Sequence, residues 1–518
     1  MSGGIAQLVA VGAQDAHLVG QPEVSFFRSN YKRHTNFAQT VERQVIQGNP
    51  SAGGMSTVRF ERKGDMVGYV YIAPNKAGKA HKLTPAEWVN AISKVELLIG
   101  GQVIDEQTSQ FSQFMVPTIL AQNLTKSTSG FAEVQSKFYP LRFSFCENAQ
   151  TAIPLIALQY HDVELRITWG SDLDAATYEV YSQFIHLDTD ERTTLSSTPQ
   201  NMLITQTQKA VASASRTQEL NFNHPIKCLV ASSVTLTKTL PAAMTANSSG
   251  GNTASSGDSS VNAYKAFDGS DSTNYVSPVA YSSSSPYGYT GSNSLGGVNG
   301  EWVKIQLASA ITPTSVFVKA RPSGTNFAVP PNSWRIMGSN DGTNWTQLHA
   351  STTLVDSSSG TTESFTNTTS YTYLGFVVTN LSFVGPNDPT WTLSHLSFTG
   401  DTRDGLAIAD DTNKMKLQIN GTDVTDFKYV DPNYTAVTSY YHTASSKDAG
   451  ASGENDKFFL YPFCLDTSKV QPTGSLNFSR LDSARLVNDT ANSSDDIYAV
   501  NYNILRIENG MGGLMYSN

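Results

Sequence analysis

Most apolar segments of this chain are short, and apolar and polar residues alternate along them. Residues 57–73, 94–105, 162–169 and 217–222 show this pattern. A period of two predicts strands with one buried face, and the Gly, Asn and Pro residues between them predict turns. Helical periodicity is scarce, although residues 107–123 can hold one or two helical turns around Pro117. The pattern therefore predicts an all-β protein built from sandwiches or jelly rolls.

An internal repeat divides the chain. Residues 64–70 align with residues 224–230, at a separation of 160 positions. Residues 97–101 (LLIGG) align with residues 417–421 (LQING) at a separation of 320, and Phe145-Cys146 aligns with Phe463-Cys464 at 318. The matching residues are 160 positions apart when the second copy ends by residue 230. They are about 320 positions apart when the second copy begins at or after residue 417. This predicts a tandem duplication whose second copy is interrupted by an insert.

Composition marks the same insert independently. Residues 244–299 are rich in Ser, Asn, Gly and Thr, and four of the six tryptophans fall between residues 302 and 391. Within this region, Asp341-Gly342 separates two strand-like runs and predicts a β-hairpin. The predicted division is an N-terminal arm (1–25), a first jelly roll (26–213), a second jelly roll in two pieces (214–238 and 402–518) and an inserted domain (239–401).

Net charge, cysteine content and sequence motifs limit the functions that we expect of this chain. The net charge is −9 and no sustained Lys/Arg run occurs, so we expect no direct nucleic-acid binding. The three cysteines form no CxxC pair, which suits assembly in a reducing compartment. Neither a signal peptide nor an apolar run long enough for a membrane span is recognised. No GxSxG, HExxH or Walker A motif is present, so we do not expect an enzyme.

The duplicated part resembles the double jelly-roll major capsid proteins of nucleocytoplasmic large DNA viruses, particularly the algal-virus branch. The resemblance rests on stretches at both ends of the chain, in the family's order: GGIAQLVAVGAQD (3–15), FFRSNYKRHTNFA (26–38), FERKGDMVGYVYI (60–72), IGGQVID (99–105), FNHPIK (222–227), QPTGSLNFSRLD (471–482) and AVNYNILRIENGMGGLMYSN (499–518). It implies a homotrimer whose six sandwiches form a pseudo-hexagonal capsomer of an icosahedral shell. Implied partners are neighbouring capsomers and, through the arm, minor capsid proteins beneath the shell.

The insert resembles a discoidin (factor 5/8 type C) domain, a jelly roll of the galactose-binding-like class. The resemblance rests on AFDG (266–269), EWVKIQL (301–307), WRI (334–336) leading into SNDGTNWT (339–346), and LSHLSFTG (393–400). Residues 244–260 and 276–299 depart from the family pattern, because they are longer and richer in Ser. The resemblance implies a domain that binds glycans or membranes through loops at one end.

Two sets of residues are candidates for binding in the insert. Asp268, Asp271 and Thr273 supply oxygen atoms that suit a structural calcium ion, the one cofactor considered; alternatively, Asp268-Gly269 simply forms a turn. Aromatic rings on loops suit the C–H faces of sugars, which makes four tyrosines candidates, although packing of a long loop on its own domain is an equal alternative. These are Tyr275, Tyr281, Tyr287 and Tyr289.

Taken together, the sequence predicts a structural major capsid protein in the virion shell, assembled in the host cell cytoplasm and carrying an outward-projecting, carbohydrate-binding-like domain. An alternative is a minor or vertex capsid protein whose insert binds host surface glycans, which copy number per virion would distinguish. A non-viral secreted lectin is a third hypothesis, against which the order of the capsid stretches weighs.

Overall fold

The computed structural model describes the chain except for residues 1–2, 77, 84, 128–136, 171–172, 174–176, 214, 233, 259–261, 279–280, 283, 285–286, 322–328, 368, 383–389, 405, 410–411, 445–457, 491–492, 494 and 517–518. Antiparallel strands dominate the described residues. They form two jelly rolls with equivalent topology and an inserted sandwich.

The first jelly roll consists of two facing sheets. Sheet 1 contains Phe37–Gln44, Thr177–Leu187, Met66–Lys76 and Lys79–Ala80, with Tyr139–Pro140 and Ile153–Pro154 also paired to Met66–Lys76. Sheet 2 contains Ile46–Gln47, Met55–Arg59, Val163–Trp169, Ile92–Ile99 and Gln102–Thr108, in that order. Burial alternates along Val163–Trp169, as the period-two pattern predicts.

The second jelly roll repeats this arrangement. Sheet 3 contains Gln200–Ala210, Ile497–Glu508, Pro225–Ser232 and Phe458–Pro462, with Leu476–Asn477 and Met511–Leu514 alongside. The second jelly roll therefore begins before the predicted boundary at residue 214, because Gln200–Ala210 pairs with Ile497–Glu508. Sheet 4 contains Thr217–Glu219, Ala484–Asn488, Lys414–Ile419 and Thr422–Asp423, with Lys428–Tyr429 alongside. Apart from Met511–Leu514, the strands of sheets 3 and 4 have counterparts at the same places in sheets 1 and 2, so the predicted duplication is confirmed at the level of topology.

Residue equivalences refine the repeat. The hairpin after Ile99 turns at Gly100-Gly101 and the hairpin after Ile419 turns at Asn420-Gly421; all four residues have positive φ. The separation of 320 is therefore correct there. The match of Phe145-Cys146 with Phe463-Cys464 is wrong, because the bulge after Val67 and Ile226 makes Ile72 equivalent to Ala231, and their partners Tyr139 and Phe459 are 320 positions apart. The Phe-Cys dipeptide therefore occurs twice by chance and is not part of the repeat.

Helices are short. The α-helical segments are Gly3–Val9, Ala16–Val19, Pro85–Ala91, Val116–Ile119, Ser144–Glu147, Thr189–Ser197, Val430–Pro432 and Thr438–His442. Single π-helical turns, Phe111–Met115 and Asn433–Val437, precede two of them. The helical turns predicted around Pro117 are confirmed. Among the described residues, no helix combines the length and apolar character needed to cross a membrane.

The inserted domain is a sandwich with its own core. Its strands are Val234–Leu240, Ser248–Ser249, Asn252–Ser256, Tyr275–Val276, Glu301–Ala320, Pro331–Ser339, Thr346–Ser351, Thr361–Ser364, Tyr371–Leu381 and Thr392–Asp404, and a separate hairpin joins Ser294–Leu295 to Val298–Asn299. The long strand Glu301–Ala320 pairs with Tyr371–Leu381 up to Gln306 and with Thr392–Asp404 from Thr312, so it belongs to both faces. Trp334, Phe376 and Trp391 are fully buried between them.

The two jelly rolls share apolar and polar contacts. Ile204, Leu505 and Ile507 of the second jelly roll lie in the buried core of the first. The Thr207 N–H donates to Asp105 Oδ1 at 2.8 Å, and the Asp105 side chain is itself buried. These contacts join the two halves into one unit.

The arm and the insert lie at opposite ends of the jelly rolls. Phe37 pairs with Leu187 and Met66 with Ile185, so the arm meets sheet 1 at the end where strand Met66–Lys76 begins. The insert leaves the second jelly roll at Ser232, the far end of the equivalent strand. Helix Pro85–Ala91, at the far end of the first jelly roll, contacts the first strand of the insert, so the two far ends are neighbours.

Candidate functional site

The candidate calcium ligands form a turn stabilised by protein groups. Asp268 Oδ1 accepts the Ser270 N–H at 3.0 Å, and Asp268 Oδ2 accepts the Thr273 hydroxyl. Asp271 Oδ2 lies 2.7 Å from Lys319 Nζ, and this contact lowers the pKa of the Asp271 carboxyl. In the structure, Asp268 and Thr273 therefore form a turn, which is the alternative interpretation given above.

This arrangement does not fit a preformed calcium site. A calcium ion needs six to eight oxygen ligands, and the Lys319 ammonium already compensates the charge of Asp271. Among the described residues, no group of three or more His, Cys, Asp or Glu side chains is placed to hold a metal. We therefore assign no role to calcium, and a calcium titration of the protein tests the prediction.

Two of the four candidate tyrosines are core residues. Tyr275 is fully buried, and its ring packs 5.1 Å from that of Trp391. Tyr281 is 4% exposed; its hydroxyl donates to Val378 O at 2.8 Å and accepts Trp391 Nε1–H at 3.0 Å. Burial raises the pKa of both phenols. Neither ring is available to a sugar, which corrects their assignment to a binding loop.

The other two tyrosines lie at the domain surface. Tyr287 is half-buried and has positive φ, and Tyr289 packs edge-on against Tyr281 at 5.4 Å. The Tyr289 hydroxyl donates to Glu301 Oε1 at 2.9 Å and accepts the Asn293 N–H at 2.7 Å. Burial raises the pKa of Tyr289 to about 12. Of the four tyrosines, these two remain candidates for ligand contact.

Glu301 organises this loop and was missed in the sequence. Its carboxylate is almost fully buried and accepts hydrogen bonds from Tyr289 Oη and Asn293 Nδ2. A signal was present, because Val303 and Ile305 face the core and residue 301 shares their face at a period of two. A carboxylate on a core-facing position predicts a local hydrogen-bond network.

A second aromatic feature lies on the outer face of the insert. Lys304 Nζ sits 5.0 Å from the Trp302 ring centroid and 5.5 Å from that of Trp345. Burial between the rings lowers the pKa of Lys304. Trp302 and Trp345 also flank a small apolar cluster of Leu295, Met337 and Val377. Trp302 and Trp345 are therefore half-buried, whereas Trp334 is fully buried.

Comparisons with known proteins give one match for the N-terminal part of the chain and another for the C-terminal part. Residues 25–212 match the family model "Major capsid protein N-terminus", and residues 336–513 match "Large eukaryotic DNA virus major capsid protein". The major capsid protein of Phaeocystis pouchetii virus is 27% identical over 603 aligned positions that cover all of both chains. The chain belongs to the major capsid proteins of large eukaryotic DNA viruses.

Other capsid proteins and a solved structure agree. The major capsid protein of Pyramimonas orientalis virus is 35% identical over 44% of this chain and 65% of its own length. That of Paramecium bursaria Chlorella virus 1 is 33% identical over 44% of this chain and 60% of its own length. A quasi-atomic model of the PBCV-1 virus capsid has a TM-score of 0.53 and 21% identity, covering 95% of this chain and 100% of that one. This likeness confirms the double jelly-roll fold.

The insert of this capsid protein has a match of its own. Residues 243–394 match the F5/8 type C domain. The predicted family of the insert is therefore confirmed. The match identifies the fold of the insert and does not identify its ligand.

Proposed function

We propose that this major capsid protein forms trimeric, pseudo-hexagonal capsomers in an icosahedral shell, with the inserted domain on the outer surface. The observation that carries the orientation is that the arm and the insert lie at opposite ends of the jelly rolls. If the arm lies beneath the shell, the insert must lie above it. The role is structural rather than catalytic.

The arm supports this polarity by its surface chemistry. Large apolar side chains along it are exposed, including Leu8 at 79% and Leu18 at 84%. Such a surface marks an interaction site, because exposed apolar area of this kind is unfavourable in water. We propose that minor capsid proteins beneath the shell cover the arm. Assembly in the reducing cytoplasm is consistent with three cysteines that are all free thiols.

Surface labelling of purified particles tests the orientation. A membrane-impermeant amine reagent should modify Lys265 in the insert of intact particles and leave Lys32, which lies just after the arm, unmodified. Both lysines should react in dissociated protein, where the exposed Lys32 is the matched control. Labelling of Lys32 with protection of Lys265 in intact particles would reverse the proposed orientation.

We further propose that the insert acts as a carbohydrate-binding-like surface toward the host cell. The half-buried Tyr287 and Tyr289 offer ring faces on a loop that buried Glu301 holds in place through the Tyr289 hydroxyl, and exposed aromatic faces of this kind suit a sugar. Full-length capsomers on a glycan array, with calcium and with chelator, test this. Binding should be lost with Tyr287→Ala and kept with Leu354→Ala, an exposed apolar control. No binding by folded capsomers would leave the insert a surface decoration.

A further inference from the structure

Two helical segments occupy the same position in the two jelly rolls. We call residues 111–119 the first segment and residues 433–442 the second segment. Each is a π-turn followed by an α-helical turn, and the second begins 322 residues after the first. Ser112 Oγ lies 2.7 Å from Tyr139 Oη, and the ring of its counterpart Tyr434 lies 6.2 Å from that of Phe459, the counterpart of Tyr139. The segments are therefore equivalent residue by residue.

The first segment joins the two jelly rolls within one chain. Phe111, Met115, Val116 and Ile119 are at most 1% exposed. They pack on the outer face of sheet 3, against Cys228, Val230, Phe458, Leu460, Tyr498 and Val500. The Phe111 and Tyr498 rings stack at 5.3 Å, and Thr108 Oγ1 lies 2.9 Å from Tyr498 Oη. The apolar side chains of this contact are buried.

The second segment presents the equivalent face to solvent. The counterparts of Phe111, Met115, Val116 and Ile119 are half-buried or exposed: Asn433, Val437, Thr438 and Tyr441. Val437 is 44% and Tyr441 73% exposed, and the neighbouring Tyr440 is 79% exposed. The Tyr440 and Tyr441 rings contact each other edge-on at 5.0 Å. Exposed paired aromatics of this kind indicate a protein–protein contact.

The surface equivalent to the outer face of sheet 3 is also open. Strand register makes Tyr71, Phe138 and Tyr181 on sheet 1 the counterparts of Val230, Phe458 and Tyr498 on sheet 3. The Tyr71 ring stacks on Tyr181 at 5.3 Å and meets Phe138 at 5.5 Å. These side chains are half-buried and border a mostly apolar cleft of about 500 Å³. Sheet 1 thus has a receiving face with no occupant among the described residues.

We propose that the second segment of one subunit docks on the outer face of sheet 1 of a second copy of this chain. The contact repeats between chains the one that the first segment makes with sheet 3 within a chain. Each chain then carries one donor and one acceptor surface, so the contact is head-to-tail, and it closes into a ring when the rotation permits. The inference rests on the proposed trimeric capsomer and names its interface.

Disulfide cross-linking tests the register directly. Phe111 and Tyr498 are ring neighbours within the chain, and their counterparts are Asn433 and Tyr181. The full chain with Asn433→Cys and Tyr181→Cys should form covalent dimers and trimers on oxidation. Asn433→Cys alone is the control and should remain uncross-linked. Cross-linking by the single variant, or none by the double variant in a preparation that is trimeric, would overturn the proposed register.

Complementation tests the head-to-tail character. Tyr441→Glu should remove the donor surface and Tyr71→Glu the acceptor surface, so each variant should be monomeric by native mass spectrometry with an unchanged circular dichroism spectrum. A one-to-one mixture should give dimers but no trimers, because one intact contact remains. Leu354→Glu on the insert is the control and should stay trimeric.

The outcomes separate this inference from the capsomer proposal. If both Glu variants remain trimeric, the capsomer proposal stands and the interface lies elsewhere, for example under the apolar arm. If wild-type protein is monomeric under conditions in which capsids assemble, both proposals fail. Dimers from either variant alone would indicate a symmetric contact and would contradict the head-to-tail arrangement.

Discussion

At the residue scale, Asp105 is a buried carboxyl that links the two jelly rolls. It accepts the Thr207 N–H at 2.8 Å and Gln107 Nε2–H at 3.0 Å, and burial raises its pKa to about 7. The folded state therefore holds a proton that the unfolded chain releases near pH 4. As pH rises from about 4 to about 7, this group lowers the free energy of unfolding, by at most about 4 kcal/mol.

Asp105→Asn should flatten this pH dependence. Chemical denaturation between pH 4 and pH 8 measures it, with the adjacent, more exposed Glu106→Gln as control. The wild-type protein and the control should lose stability as pH rises through this window, and the Asn variant should lose less. Superimposable pH curves for wild type and Asp105→Asn would show that the Asp105 proton does not contribute.

Tyr281 shows how a candidate ligand residue becomes a structural one. Tyr281→Phe removes the hydroxyl that bridges Val378 O and Trp391 Nε1–H, both buried, and should lower the free energy of unfolding of the insert by about 1–3 kcal/mol. Tryptophan fluorescence reports this, since four of the six tryptophans lie in the insert. The matched Tyr287→Phe, at a half-buried position, should change the value by less than about 0.5 kcal/mol. Equal effects would contradict the assignment.

At the element scale, turns were predictable and long-range packing was not. Asp341-Gly342 predicted a hairpin, and strands Pro331–Ser339 and Thr346–Ser351 form it, with Gly342 at φ +74° and Asp341 Oδ1 accepting the Thr343 and Asn344 N–H groups. Positive φ favours glycine, so a turn of this kind can be recognised from the local sequence. Tyr281 meets partners about 100 residues away, and no local pattern records such a contact.

The ends of the insert lie side by side, which bears on its boundaries. Val234–Leu240 pairs with Thr392–Asp404, from Val234 opposite Asp404 to Leu240 opposite Phe398. The predicted boundaries of 239 and 401 fall inside this pair, and we propose 234 and 404 instead. The equivalent connection in the first jelly roll, residues 77–91, is short.

Replacing residues 234–404 by a short Gly/Ser linker should therefore leave the double jelly roll folded and trimeric. The insert has a core separate from those of the jelly rolls, and a linker of a few residues spans adjacent antiparallel strands. Size-exclusion chromatography with light scattering measures the assembly state. Aggregation or loss of trimers would show that the insert stabilises the capsomer.

At the scale of the whole molecule, the central claim is that the subunit has one orientation in the shell, with the arm on the inside and the insert on the outside. A cryo-electron microscopy reconstruction of the assembled particle tests it most directly. We predict pseudo-hexagonal capsomers of three chains, the second segment of each chain against sheet 1 of its neighbour, and three protruding insert domains on the outer face. Insert density on the genome side of the shell, or a shell lattice that lacks this chain, would contradict the account.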